Sequence, residues 1–148
     1  MSNQEVAQAM RRHHAIMVQH LEDLVGYLEK ADTAWQTTRD RVAGYLVSNV
    51  LPHAAAEEST IYRVGTALES LTKLIESMLF EHAVIRDLAK SLEGSRTQGQ
   101  ALTLAASAAK LFEVHAEKEN RFIIATLEPR ADVDLEAVLG DMHQLLGH

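Results

Sequence analysis

No cysteine occurs anywhere in the chain, and that one absence excludes disulfides, thiolate metal sites and cysteine nucleophiles together. Only two prolines and seven glycines interrupt the 148 residues, and no alternating apolar run bounded by turn residues suggests a strand. No apolar run approaches the roughly 20 residues that cross a bilayer. A basic stripe is missing too, and the formal charge of −7 argues against a nucleic-acid partner. Met1-Ser2-Asn3-Gln4-Glu5 lacks the basic-then-apolar pattern of a secretory signal, so the expected location is cytoplasmic. What remains is an ordinary soluble balance of 47% apolar and 24% charged residues, which predicts one domain over residues 1–148. Histidine is the exception. Eight of them are several more than a chain of this size usually carries.

The periodicity predicts an all-α chain. Ser2 with Glu5 is a capping-box signature, opening a helix that runs to about Lys30. Its apolar seam is Val6, Met10, His14, Met17, Leu21, Leu24, Leu28, with a histidine where an aliphatic residue is expected. Asp32 and Thr33 mark a turn. The second helix rises from Trp35 to roughly Val64 on a seam of Val42, Leu46, Val50, His53, Glu57, Ile61 and Val64. Pro52 lies within that pattern and either kinks the helix or begins a new segment. After a break at Gly65-Thr66, the third seam reads Leu71, Ile75, Met78, His82, Ile85, Ala89, Leu92. Gly94 to Gly99 is the clearest loop. The fourth seam carries Leu104, Ala108, Leu111, His115, Glu119 and Phe122 and stops before Pro129. A short fifth segment begins near Asp132 or Asp134, with Leu135, Val138, Leu139, Met142 and Leu145 on one side, closing one side or end of the assembly. Four long helices with short connections make an up-down-up-down antiparallel four-helix bundle, with a short fifth C-terminal helix.

Two His-x-x-x-Glu pairs, His53 with Glu57 and His115 with Glu119, each stack one helical turn apart. Counting from the turns, His14 lies about 17 residues, or about 25 Å, before the first and His53 about 17 to 20 after it. His82 and His115 stand about 12 before and about 16 after the glycine-rich loop. All six polar seam residues therefore fall in one layer of the core. Six buried ionisable groups are prohibitive without a compensating partner. Hydrogen-bonded pairs are one answer, but a metal centre accounts for all six at once, as bundle cores build such sites from facing helices. His and Glu without cysteine suit iron, manganese or zinc. Six ligands exceed one tetrahedral zinc and suit two ions bridged by both carboxylates, with at least one position open for a small ligand.

In this order, His14, then His53-x-x-x-Glu57, then His82, then His115-x-x-x-Glu119 resembles the hemerythrin-like (HHE cation-binding) domains. The phrases Arg12-His13-His14, His53 through Tyr62, Glu81-His82 and His115 through Asn120 are similar to that family as well. The resemblance spans roughly residues 5 to 128 and implies a non-haem di-iron site. His14, His53, His82 and His115 become ligands with Glu57 and Glu119 as bridges, around two oxo- or hydroxo-bridged iron ions. The chain departs from the oxygen carriers, which place two histidines one turn apart on the third helix. Here Arg86 and Met78 flank His82 at that spacing, and the fourth helix has His-x-x-x-Glu in place of His-x-x-x-x-Asp. One histidine ligand is thus absent, and the two irons are expected to be more alike.

The resemblance implies a small-molecule ligand (O2, hydrogen peroxide or nitric oxide) and, for an enzyme, catalase-like peroxide disproportionation. The rivals are a non-enzymatic O2- or iron-binding or sensing protein and a metal-free interaction bundle. His13, His20, His143 and His148 read as surface residues. Glu58 and Glu81 read as solvated helix face, with orientation of an imidazole as the alternative. Tyr62 reads as a boundary tyrosine, the alternative being a hydrogen bond to the site or iron ligation. Arg86 reads as half of a surface ion pair, the alternative being to steady a bridging carboxylate.

Overall fold

Ser2 closes the expected capping box: its hydroxyl accepts from the Glu5 amide at 3.2 Å, and its own amide donates to Glu5 Oε2 at 2.7 Å. From that cap runs α1, Asn3–Lys30, and its predicted seam is buried along its whole length. The computed structural model describes residues 1–140 and 142; His143, Leu145 and His148 lie outside the described residues. Asp32 Oδ1 accepts from the Ala34 amide in the first turn. The second rod then comprises α2 (Trp35–Tyr45), a π-helical turn (Leu46–Val50), α3 (Leu51–Ser59) and the short α4 (Ile61–Gly65). Next come α5 (Glu69–Glu93) and α6 (Gln98–Lys118), the latter capped by Thr97. α6 continues as a second π-helical turn (Glu119–Ile124) and α7 (Ala125–Leu127). The last described helix is α8, Leu135–Leu139, capped by Asp134. No strand occurs among the described residues, and none of their helices is long and apolar enough to cross a membrane.

Pro52 stands in the first turn of α3, so it begins a new segment, as one of the two sequence readings had it, and that segment continues the second rod. Proline has no N–H, and an ordinary α-turn would press its ring on the carbonyl four residues back. The chain widens into the π turn one step earlier, where the Leu51 amide donates to the Leu46 carbonyl five residues behind. Thr60, at φ −120° and ψ −95°, makes the true break in this rod and separates α3 from α4.

α1 and α5 each pack between the second rod and α6, which gives the up-down-up-down bundle. Alanines 101, 105, 108 and 109 bring α6 close to its neighbours. The fourth seam corrects the sequence reading. Leu104 and Leu111 are only half-buried, Phe122 is 51% exposed, and the core positions go to Phe112, Ile123, Ile124 and Leu127. The extra residue per π turn rotates everything after Glu119, so the inward phase passes from Phe122 to its successors. Val64 is likewise half-buried, and Gly65 takes the inward place, packed so closely that a Cβ there would meet Ile75 Cδ1 at 2.7 Å.

The apolar interior is two clusters. One runs from Met17 to Leu28 on α1 with Val50, Ile85 and Phe112. The other gathers Val6, Met10, Ile61, Tyr62, Met78, Ile123 and the α8 residues Leu135 and Leu139, so α8 closes an end of the bundle. On every rod the polar seam residues fall between these clusters: His14 between Met10 and Met17, His82 between Met78 and Ile85. Each large apolar side chain fully buried on either side contributes about 1.5–3 kcal/mol, and that sum is what holds a charged layer in place.

Candidate metal centre

All six sequence-predicted residues lie in this layer. His14, His53, Glu57, His82, His115 and Glu119 are each at most 3% exposed. Their Nε2 atoms and carboxylate oxygens face one another. His14 Nε2 lies 3.2 Å from Glu119 Oε1 and 3.5 Å from Glu57 Oε2, and His53 Nε2 is 3.2 Å from that same Glu57 oxygen. On the other side, His82 Nε2 is 3.8 Å from Glu57 Oε1, and His115 Nε2 is 3.6 Å from Glu119 Oε2. Each glutamate therefore presents one oxygen to the His14–His53 pair and the other to the His82–His115 pair. Two donor groups able to hold a metal ion result: His14, His53, Glu57, Glu119, and Glu57, His82, His115.

The outward ring nitrogens are tied in a repeating way. Glu58, beside Glu57, accepts from His82 Nδ1 on the next rod at 2.8 Å. Glu81, beside His82, accepts from His115 Nδ1 at 3.1 Å and also receives Lys118 Nζ at 3.0 Å. Asn120, beside Glu119, accepts from His14 Nδ1 at 2.7 Å. His13, beside His14, holds the fourth place, its ring centroid 5.1 Å from that of His53, but His53 Nδ1 makes no hydrogen bond among the described residues. An acceptor at Nδ1 places the proton there and leaves Nε2 a lone pair directed at the centre.

Tyr62 is the largest correction to the sequence reading. It is buried, stacks on the His82 ring at 5.4 Å, and donates its hydroxyl to Glu119 Oε2 at 2.7 Å. Its hydroxyl oxygen is also 3.1 Å from His115 Nε2 and 3.4 Å from His82 Nε2. Five residues beyond Glu57 on an unbroken helix, it would point well away from the seam; the break at Thr60 resets the phase. Glu58 and Glu81 are likewise partners of ligand-position imidazoles; Glu58 is at the same time exposed, as the sequence reading had it, whereas Glu81 is half-buried. Asn120 had no role assigned from sequence, where it appears only as the end of the family-like phrase His115 through Asn120, next to Glu119. Arg86 is exposed and forms no ion pair among the described residues. His20 is exposed against Tyr45, and His13 is half-buried.

Without a metal the layer balances its charge with protons. Burial and the Glu57 charge push Glu119 up to about 8. Glu57, against the effect of burial, is held well below its ordinary range by His53, Glu119 and His14. His14 is raised well above its ordinary value by Glu119 and Glu57, again against burial. Burial, with His82 adding to it, pulls His115 down to about 4. Burial and the nearby Glu119 and Glu57 charges push the Tyr62 phenol up, so it remains an O–H donor.

Two spaces adjoin the layer. An open groove of about 410 Å³ between α1 and the second rod ends on His13 and His53. A cavity of about 10 Å³, the room of one water, is lined by Glu57, His82 and His115 with Val50, Leu51, Ala54, Ile85 and Phe112.

Among family models, the one described as hemerythrin HHE cation binding domain matches residues 5–127. No curated protein and no solved structure matches the chain.

Proposed function

The chain belongs to the hemerythrin HHE cation-binding domain family, and from that premise we propose that it holds two iron ions and reacts with a small ligand. His14 and His53 would hold one ion and His82 and His115 the other, with Glu57 and Glu119 bridging. One observation carries this reading. His82 Nε2 and His115 Nε2 lie 2.9 Å apart, and both rings already donate Nδ1–H outward to a carboxylate. Two facing lone pairs in an apolar core repel unless a cation sits on them. Glu57 Oε2 and Glu119 Oε1, buried without a hydrogen bond, fit the same account. An all-nitrogen-and-oxygen donor set suits iron.

Hydrogen peroxide is the reactant named first, in the balanced reaction of two peroxides giving two waters and O2. An adjacent metal pair supplies the chemistry, since it can polarise both peroxide oxygens and pass two electrons. The chain's own residues limit what arrives. The 10 Å³ cavity beside Glu57, His82 and His115 has room for one water, which excludes an organic substrate. Tyr62 holds Glu119 Oε2 in place through its hydroxyl.

Two irons per chain, with an oxo-to-iron absorption in the near ultraviolet, are expected from purified protein; stoichiometric zinc or no metal would sink the reading. Oxygen evolution from peroxide, lost in His82→Ala, supports turnover. A colour change under O2 that reverses under vacuum would instead mark a carrier, and loss of fold on chelation without turnover a sensor. A cytoplasmic setting and a single domain over residues 1–148 complete the proposal.

A further inference from the structure

Both metal positions offer two imidazoles and glutamate oxygen, and at the His82–His115 side the Tyr62 hydroxyl also donates to the inner Glu119 Oε2. What stands behind the imidazoles is not alike. On the His82–His115 side both outward nitrogens donate to carboxylates, Glu58 at 2.8 Å and Glu81 at 3.1 Å. On the His14–His53 side one donates to the neutral amide of Asn120 at 2.7 Å, and the other makes no hydrogen bond among the described residues. A hydrogen bond to an anion draws the Nδ1 proton away from the ring, which makes Nε2 a stronger donor and favours the more highly charged metal ion.

We propose that Glu58 and Glu81 are positioning residues that make the two metal positions unequal, so that the His82–His115 position keeps the ferric ion longest and the His14–His53 position is reduced first. The inference rests on the di-iron reading above and adds to it a direction for electrons. Glu81 shares its oxygen with Lys118 at 3.0 Å, which offsets part of its charge, whereas no lysine or arginine pairs with Glu58 among the described residues. Glu58 is therefore the stronger of the two. It is also 38% exposed, so its replacement leaves the core intact.

The test is a mediated redox titration of iron-reconstituted protein with an external one-electron reductant, combined with Mössbauer spectroscopy. Iron content is measured first, because fewer than two irons per chain overturns the di-iron reading itself and this inference with it. With two irons bound, the wild type should show two separate one-electron steps. Glu58→Gln and Glu81→Gln keep an acceptor oxygen but remove the charge. Loss of such an outer partner is worth about 10–100-fold in metal binding. Carried wholly by the ferric state, that is about 59 mV per tenfold for one electron. Each variant should raise the lower potential by that order, Glu58→Gln more than Glu81→Gln, and leave the higher one in place. Asn120→Asp, which puts an anion behind His14, should instead lower the higher potential. A single two-electron step in the wild type, equal movement of both steps in the glutamine variants, or no movement would each overturn the inequality.

Discussion

Tyr62 shows how much a single buried hydroxyl can hold. Its O–H donates to Glu119 Oε2, a carboxyl oxygen with no other hydrogen-bond donor among the described residues. Tyr62→Phe keeps the ring stacked on His82 but leaves that buried oxygen unsatisfied, a cost of about 1–3 kcal/mol. Urea denaturation of the metal-free variant should show that loss, and an unchanged midpoint would mean the contact carries nothing. The protons of the layer give a second prediction. Glu119 stands at about 8 and His14 above its ordinary value, so over the range where they titrate the folded chain binds more protons than the unfolded one. Stability from these groups is present at lower pH and is lost as pH rises through the folded values. His115, lowered to about 4 from 6.5, works the other way between those two values and is silent above them. Metal-free protein should therefore lose on the order of 1–3 kcal/mol between about pH 6.5 and 8. Iron-loaded protein, its ligands already deprotonated, should show no such loss and should gain stability as the unfolded-state histidines lose their protons. Parallel curves for the two forms would contradict the assignment.

Within the helices, the seams of α1 and α5 could be read residue for residue, since an unbroken α-helix keeps one phase from cap to cap. The second rod could be read through its π turn as far as Ile61 and failed only at Val64, past the break at Thr60. The fourth failed at Leu104 and Leu111, ahead of its π turn, and at Phe122 within it. Pro52 signals the first π turn, but nothing in Glu119–Ile124 signals the second. Those departures sit next to the ligand positions, where a widened turn re-aims the residues beyond it. Small residues decide how near the rods come. Ala105, fully buried on α6, faces a core already filled by its neighbours. Ala105→Leu should cost about 1–3 kcal/mol by overpacking, read as a lower denaturant midpoint with helix content unchanged. A neutral result would mean that the alanine stripe leaves slack.

At the scale of the molecule, the polar layer interrupts an otherwise continuous core. Asn3 ties the ends together, its side-chain amide donating to the Val133 carbonyl at 2.8 Å and its oxygen accepting from the Leu135 amide at 2.9 Å. Replacing His14, His53, His82 and His115 by Leu and Glu57 and Glu119 by Met should leave a metal-free bundle as stable as the metal-free parent, or more stable by about 1–4 kcal/mol. The same variant should lose all response to iron. In the parent, iron at 100 times its dissociation constant should add about 2.7 kcal/mol. An unfolded layer variant would mean that the six residues hold the fold as well as the metal site.

The sequence by itself determined the helical class, the caps and loops, and the depth of His14, His53, Glu57, His82, His115 and Glu119, because helical rise and phase convert spacing directly into position. The roles of Glu58, Glu81, Asn120 and Tyr62 were decided only by the tertiary structure. A residue adjacent to a ligand position points about 100° away from its own seam and looks like solvated surface from its own helix. For Glu58, Glu81 and Asn120 packing supplied the outward nitrogen of a histidine on another rod, and for Tyr62 the inner oxygen of Glu119, which no spacing within one helix encodes.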